Sequence, residues 1–234
     1  MEKRLIFPAG TTEAIRFATD FLCLPLAEHP CEQVTHLMLD VPLRSRELES
    51  ILTRLSPNVT VIGGRLDIPE LAAYKKLDLL EDPEYLAKNA MITAHCAVKL
   101  ALRELNVTMD RCPVLILGWG RIGKCLARLL KAMGAEVTVA ARKDSDRAML
   151  KALAYKAVAF DQLSRVLHGF RVIYNTVPEK MLSESTTFNS DCVKIELASV
   201  PGLPGECIDG RGLPGRLAPE SSGRLIAEMI GRRI

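Results

Sequence analysis

Pro113-Val114-Leu115-Ile116-Leu117-Gly118-Trp119-Gly120-Arg121-Ile122-Gly123 is a short apolar run that breaks into G-x-G-x-x-G, and the amphipathic residues 124–133 follow it before a stop at Gly134. That order reads as buried strand, tight turn, helix, and a second apolar run at 136–140 supplies the next strand. In this setting the three glycines have separate tasks. Gly118 permits the sharp turn, Gly120 lets backbone approach a pyrophosphate, and Gly123 lets the helix pack close to the strand. The helix start then offers free N–H groups and partial positive charge to the phosphates. The stretch predicts a dinucleotide site, with Trp119, Arg121 and Ile122 carried in its loop and first helical turn.

The end of the following strand discriminates between cofactors. An acidic residue there bonds the ribose hydroxyls of NAD. This chain instead reads Val139-Ala140-Ala141-Arg142-Lys143-Asp144-Ser145. Ala141 takes the acid's position and two cations follow it. A guanidinium binds a phosphate bidentately where a carboxylate repels it. NADP is therefore expected, with NAD the alternative, and Arg142, Lys143 and Ser145 are placed at its 2′-phosphate end.

Composition bounds the rest. The chain has 234 residues, 48% of them hydrophobic and 25% charged, which suits a globular protein of one large or two small domains. A net charge of +3 without any run of Lys or Arg gives no nucleic-acid arm. Seven scattered cysteines form no C-x-x-C pair, so they read as reduced core thiols of a cytoplasmic protein, with neither a zinc site nor a redox dithiol. The N-terminus has too short an apolar run for a signal peptide, and nothing reaches membrane-spanning length.

Strands are expected at 4–7, 35–39, 59–62 and 76–80, with helices from Thr11 or Thr12 to Cys23 and over 44–55, and Glu81-Asp82-Pro83 starts a turn or helix. This alternation predicts a small, flavodoxin-like α/β domain over 1–89 that serves substrate or partner. An alanine-rich helix from Ala90, capped by Asn89, and a linker to residue 111 join it to a Rossmann-type doubly wound parallel sheet over 112–217. That second domain continues with strands at 157–159, 172–175 and 194–197. A final helix over 218–234 returns toward the first domain, and Gly231-Arg232-Arg233-Ile234 reads as a polar tail. Ligands of such sheets sit beyond the carboxyl ends of the strands. Asn175-Thr176-Val177-Pro178 and Ala198-Ser199 are accordingly placed against the nicotinamide ribose, although Asn175 also fits an Asx turn with no ligand. The Pro- and Gly-rich run 201–219 reads as a structured loop.

The second half resembles the A-subunit family of dipicolinate synthase, found in endospore-forming bacteria. The resemblance rests on Gly118-Trp119-Gly120-Arg121-Ile122-Gly123, Ala141-Arg142, Asn175-Thr176-Val177-Pro178 and Leu197-Ala198-Ser199-Val200-Pro201-Gly202. Above all it rests on Gly212-Leu213-Pro214-Gly215-Arg216-Leu217-Ala218-Pro219-Glu220-Ser221-Ser222-Gly223. The likeness implies an NADP-dependent oxidation of a dihydrodipicolinate-type intermediate to dipicolinate during sporulation, carried out with a flavoprotein B subunit. A homo-oligomer is compatible with it. Where the family's connecting helix reads Thr-Ala-Glu-Gly, this chain has Thr93-Ala94-His95-Cys96.

A hydride transfer needs a positioned nicotinamide, a proton-handling group and cations for substrate carboxylates. His95 is the candidate base, since imidazole exchanges protons near neutral pH; a helix histidine bonded to solvent is the plainer alternative. Arg211, beside Gly212-Leu213-Pro214-Gly215, is the candidate for holding a small dicarboxylate, and Asp209-Gly210 before it is an ordinary turn signal. The same residues also fit another NADP-dependent dehydrogenase acting on a small carboxylic acid, or a catalytically silent NADP-binding subunit.

Overall fold

The structure is a computed structural model and describes residues 4–44 and 48–234. The chain divides into two compact units, Met1–Asn89 with Pro214–Ile234, and Ala90–Leu213.

In the first unit, β1 (Ile6–Pro8), β2 (His36–Met38), β3 (Thr60–Gly63) and β4 (Lys75–Asp78) form a parallel sheet in that order. A single parallel bridge from Ile6 to Leu26 adds a vestigial strand on the far side of β1, held by Ile6 N donating to Pro25 O (3.0 Å) and Ala27 N donating to Ile6 O (2.8 Å). Counting it, the order becomes second, first, third, fourth, fifth, which is the flavodoxin-like arrangement. Leu37, Leu39, Val61, Leu66 and Leu71 make the core under one face.

The helix α1 (Glu13–Phe21) begins where expected, but the cap comes from elsewhere. Asp40, fully buried at the end of β2, accepts from the N–H groups of Thr11 (3.1 Å) and Thr12 (3.0 Å) and from the Thr12 hydroxyl (2.7 Å). Thr12 therefore gives its hydroxyl away and makes no side-chain cap bond of its own. The expected 44–55 helix appears as α2 (Leu48–Leu52), and residues 45–47 of that expectation lie outside the described residues.

The connecting helix α3 (Pro83–Glu104) starts seven positions before Ala90. Asp82 is its cap, accepting from Glu84 N (2.8 Å) and Tyr85 N (3.1 Å), while Asn89 sits inside the helix. Asp followed by Pro is a helix-start signature, because the carboxylate fills the first free donors and proline needs none.

In the second unit, β5 (Pro113–Leu117), α4 (Arg121–Ala132), β6 (Glu136–Ala140), α5 (Asp144–Ala152), β7 (Lys156–Val158), α6 (Leu163–Val166), β8 (Val172–Asn175), β9 (Val193–Glu196) and β10 (Ile208–Asp209) follow in turn. Their sheet is wholly parallel, ordered β10-β9-β8-β5-β6-β7. This is the Rossmann order, with the reversal between β5 and β8. β5 reads as a continuous apolar run because it lies inside the sheet, with Val114, Leu115 and Ile116 fully buried. β10 and the short α7 (Leu213–Leu217) occupy what the sequence presents as loop. The last helix, α8 (Pro219–Arg233), packs along α1 in the first unit, and the supposed polar tail is its final turn.

Candidate functional site

The switch between β5 and β8 opens a crevice at their carboxyl ends, where adjacent loops leave in opposite directions. Three loops meet there and are pinned to one another. Gly118 N donates to Ala140 O (2.9 Å), while Thr176 donates to Leu117 O through both its N–H (3.0 Å) and its hydroxyl (2.8 Å).

The glycines fit the close packing this requires. Gly118 has φ +104°, and a Cβ there would stand 2.6 Å from Thr176 Oγ1. A Cβ on Gly123 would overlap the Gly118 carbonyl oxygen. Gly120 differs, since a Cβ on it would find no atom within 4 Å. No steric demand among the described residues requires glycine at that position, and its bare backbone faces open space. Arg121, Ile122 and Gly123 form the first turn of α4, whose N–H groups have no partner one turn earlier.

The crevice has a volume of about 340 Å³, within the range of small-ligand sites. Gly118, Trp119 and Gly120 line it from the first loop, and Thr176, Val177, Pro178 and Glu179 from the loop after β8. Ala141, Arg142 and Lys143 line it from the loop after β6, Asp146 from the first turn of α5, and Phe160 adds an aromatic wall. Ala141, 2% exposed, leaves no carboxylate at the end of β6. Arg142 is exposed and pairs with Glu179 across the crevice. Arg147, half-buried on α5, donates to the carbonyls of Ala141 (2.7 Å) and Arg142 (2.6 Å) and pairs with Asp144. It thereby fixes the backbone that carries Arg142 and Lys143.

The remaining expected site residues stand elsewhere. Arg121 and Ser145 are exposed in the first turns of α4 and α5 and do not line the crevice. Asn175 is 1% exposed with its amide already engaged: Oδ1 accepts from Val177 N (3.0 Å), and Nδ2 donates to Glu196 (2.9 Å). It makes an Asx turn under the crevice. Ala198 is buried and Ser199 exposed, in the turn after β9.

Glu196, which sequence reading missed, organises that turn. It is 2% exposed and accepts from Asn175 Nδ2 and from the N–H groups of Ala198 (3.0 Å), Gly202 (2.7 Å) and Leu203 (3.1 Å). Four donors satisfy a buried carboxylate and tie the loops after β8 and β9 together. Arg211 is spanned by Asp209, through Nε to Oδ1 (2.8 Å) and Nη2 to Oδ2 (3.0 Å). His95 is exposed on α3 between the buried Ala94 and Cys96. Burial pushes the thiols of Cys96, Cys112, Cys125 and Cys207 up, and that of Cys192 to about 11. All five are neutral at pH 7 and poor nucleophiles.

Residues 101–186 match the D-isomer specific 2-hydroxyacid dehydrogenase, NAD binding domain. The A-subunit of dipicolinate synthase from Bacillus subtilis (strain 168) is 25% identical over 177 residues, which take in 71% of this chain. The match spans 60% of that curated relative's length. The crystal structure of the same A-subunit from Bacillus subtilis superposes with a TM-score of 0.82 at 21% identity, covering 99% of this chain and 95% of that one. The A-subunit from Bacillus halodurans superposes with a TM-score of 0.78 at 19% identity, covering 98% and 97%. The chain is thus similar in sequence and in fold to the A-subunit of dipicolinate synthase, as its motifs implied, and its residues 101–186 are similar to the NAD binding domain of D-isomer specific 2-hydroxyacid dehydrogenases.

Proposed function

We propose that the protein is an NADP-dependent oxidoreductase that works as the A-subunit of a dipicolinate synthase. The observation that carries the cofactor choice is the end of β6: a buried Ala141 stands where NAD sites present a carboxylate, and Arg142 and Lys143 face the same crevice. The open backbone at Gly120 and the first turn of α4 would hold the pyrophosphate. Arg142 and Lys143 would hold the 2′-phosphate, and Thr176, Val177 and Pro178 would border the nicotinamide half. Bound there, the cofactor supplies a hydride acceptor.

The substrate class rests on the likeness to the A-subunit of dipicolinate synthase. A dihydrodipicolinate ring loses one hydride and one proton as it becomes aromatic. His95 is the proton acceptor in this reading, at the position where the family's helix has Glu. Arg211, a cation beside the Gly-Leu-Pro-Gly string, serves the dicarboxylate once Asp209 yields it. A flavoprotein B subunit is the partner, the setting is the cytoplasm of a sporulating cell, and a homo-oligomer is compatible with this reading.

Calorimetry with each cofactor tests the first half of this reading: NADP should bind more tightly than NAD, and the reverse order refutes it. Cofactor reduction with the dihydrodipicolinate precursor, with and without a flavoprotein partner, tests the second half. Turnover is expected, and His95→Ala should slow it more than His95→Glu. An unchanged rate in His95→Ala removes that residue from the chemistry, and binding without turnover marks a catalytically silent subunit.

A further inference from the structure

The crevice that would take the 2′-phosphate holds more acid than its sequence motif suggests. Arg142 and Lys143 line it from the loop after β6, Asp146 from the first turn of α5, and Glu179 from the loop after β8. Two cations and two carboxylates therefore face the same space. The charges do not stand apart, because Glu179 pairs directly with Arg142. Both side chains are more than half exposed, so the pair is open to solvent and to any incoming anion.

We propose that Glu179 is a specificity-determining residue: it competes with the cofactor's 2′-phosphate for Arg142 and so sets how sharply NADP is preferred over NAD. The proposal rests on the NADP reading above. A phosphate that engages the Arg142 guanidinium must take it from Glu179, and it meets the Glu179 charge as it does so. NAD has no group that needs Arg142, so its binding does not disturb the pair. Exposed ion pairs are worth little, which sets the expected size of the effect at about two- to fivefold in affinity.

The test is calorimetric titration of the full chain with NADP and with NAD, comparing wild type with Glu179→Gln, Arg142→Ala and the double variant. Glu179→Gln should tighten NADP by about two- to fivefold and leave NAD unchanged. In the Arg142→Ala background the same substitution should tighten NADP by clearly less, because the competition for Arg142 is gone and only the direct repulsion is left. Unchanged NADP affinity in Glu179→Gln overturns the proposal. Weaker NAD binding in that variant also overturns it, by making Glu179 a ribose ligand. A wild type that prefers NADP but ignores Glu179→Gln overturns this proposal alone, whereas a wild type that prefers NAD overturns the NADP reading and this proposal with it.

Discussion

Gly120 and Gly123 stand three residues apart in one motif and answer to different demands. Gly123 is constrained from within, because a methyl group there would overlap the Gly118 carbonyl. Gly120 has empty space around the same direction and an ordinary φ of −81°. The two alanine variants should therefore separate stability from binding. Gly123→Ala should cost about 1–3 kcal/mol, the usual penalty for overpacking, and should lower the thermal midpoint. Gly120→Ala should cost no more than about 1 kcal/mol, the scale of a lost helix-cap preference, yet weaken NADP binding at least about tenfold as its methyl meets the pyrophosphate. Equal losses of stability in the two variants would contradict this division. Gly118 and Gly123 were legible in the sequence because a tight turn leading into a helix that packs on its strand restricts residue type at fixed spacings. Glu179 and Glu196 were not, because a carboxylate's partner is set by folding. Glu196 lies 21 positions from Asn175 and is brought beside it only by the pairing of β8 with β9.

At the level of elements, the parts of the second unit that were easy to read are those buried by the sheet itself. β6 and β8 run over the expected residues: β8 is buried along its whole length, and β6 is a short run of β-branched residues bounded by Gly134 and Arg142. Glu81-Asp82-Pro83 reads as the start of a turn or helix and the alanine stripe from Ala90 as a separate connecting helix; in the structure the two are one element, α3, because nothing between them breaks the helix. β10 is two residues long and α7 contains Pro214 and Gly215, so neither carries a periodic pattern. The vestigial strand at Leu26 is one bridge, too short for any alternation to show. The loops after β8 and β9 are likewise shaped by one buried side chain rather than by local propensity. Glu196→Ala should strand three backbone N–H groups and the Asn175 amide. A loss of about 2–4 kcal/mol in chemical denaturation is expected, since each orphaned buried donor costs about 1–3 kcal/mol and the loop relaxes in part. Glu196→Gln, which keeps acceptor capacity but turns one oxygen into a donor, should lose less. Faster amide exchange at Gly202 in both variants would locate the damage in this turn.

The whole chain is threaded so that its last helix completes its first unit: α8 and residues 4–89 form one compact body around the contact of α8 with α1. Charge ties the far end of α8 to the start of α3. Lys88 bonds Glu84 (2.7 Å) and Glu228 (2.9 Å), Arg232 reaches Glu84 and Glu228 (both 2.6 Å), and Arg233 reaches Asp82 (2.6 Å). The backbone N–H of Tyr85 holds the Asp82 carboxyl below its usual range, and the Lys88 hydrogen bond does the same for Glu84 and Glu228. Lowered folded-state values mean that the unfolded chain binds more protons as pH falls. Their contribution is thus complete above the ordinary carboxylate range, about pH 4–4.5, and is lost as pH drops through the lowered values. Unfolding midpoints measured down to about pH 3 should fall less steeply in Glu228→Gln than in wild type.

Packing, not charge, makes the contact of α8 with α1. Gly223 on α8 faces α1 so tightly that a Cβ would lie 2.6 Å from Ala14 O and 2.7 Å from Ala18 N, both of them backbone atoms that cannot rotate aside. Gly223→Val must push α8 off α1 and expose the buried faces of Ala14, Ala18, Leu225 and Ile226. The expected cost is about 3 kcal/mol or more, at the upper end of overpacking penalties because backbone rather than side chain is displaced. The damage should stay within the unit that α8 completes. Hydrogen exchange should quicken across β1–β4 and α1 while β5–β9 keep their protection, and NADP should still bind, because every residue lining the crevice lies between 118 and 179. Uniform loss of protection, with loss of nucleotide binding, would show instead that the two units fold only together.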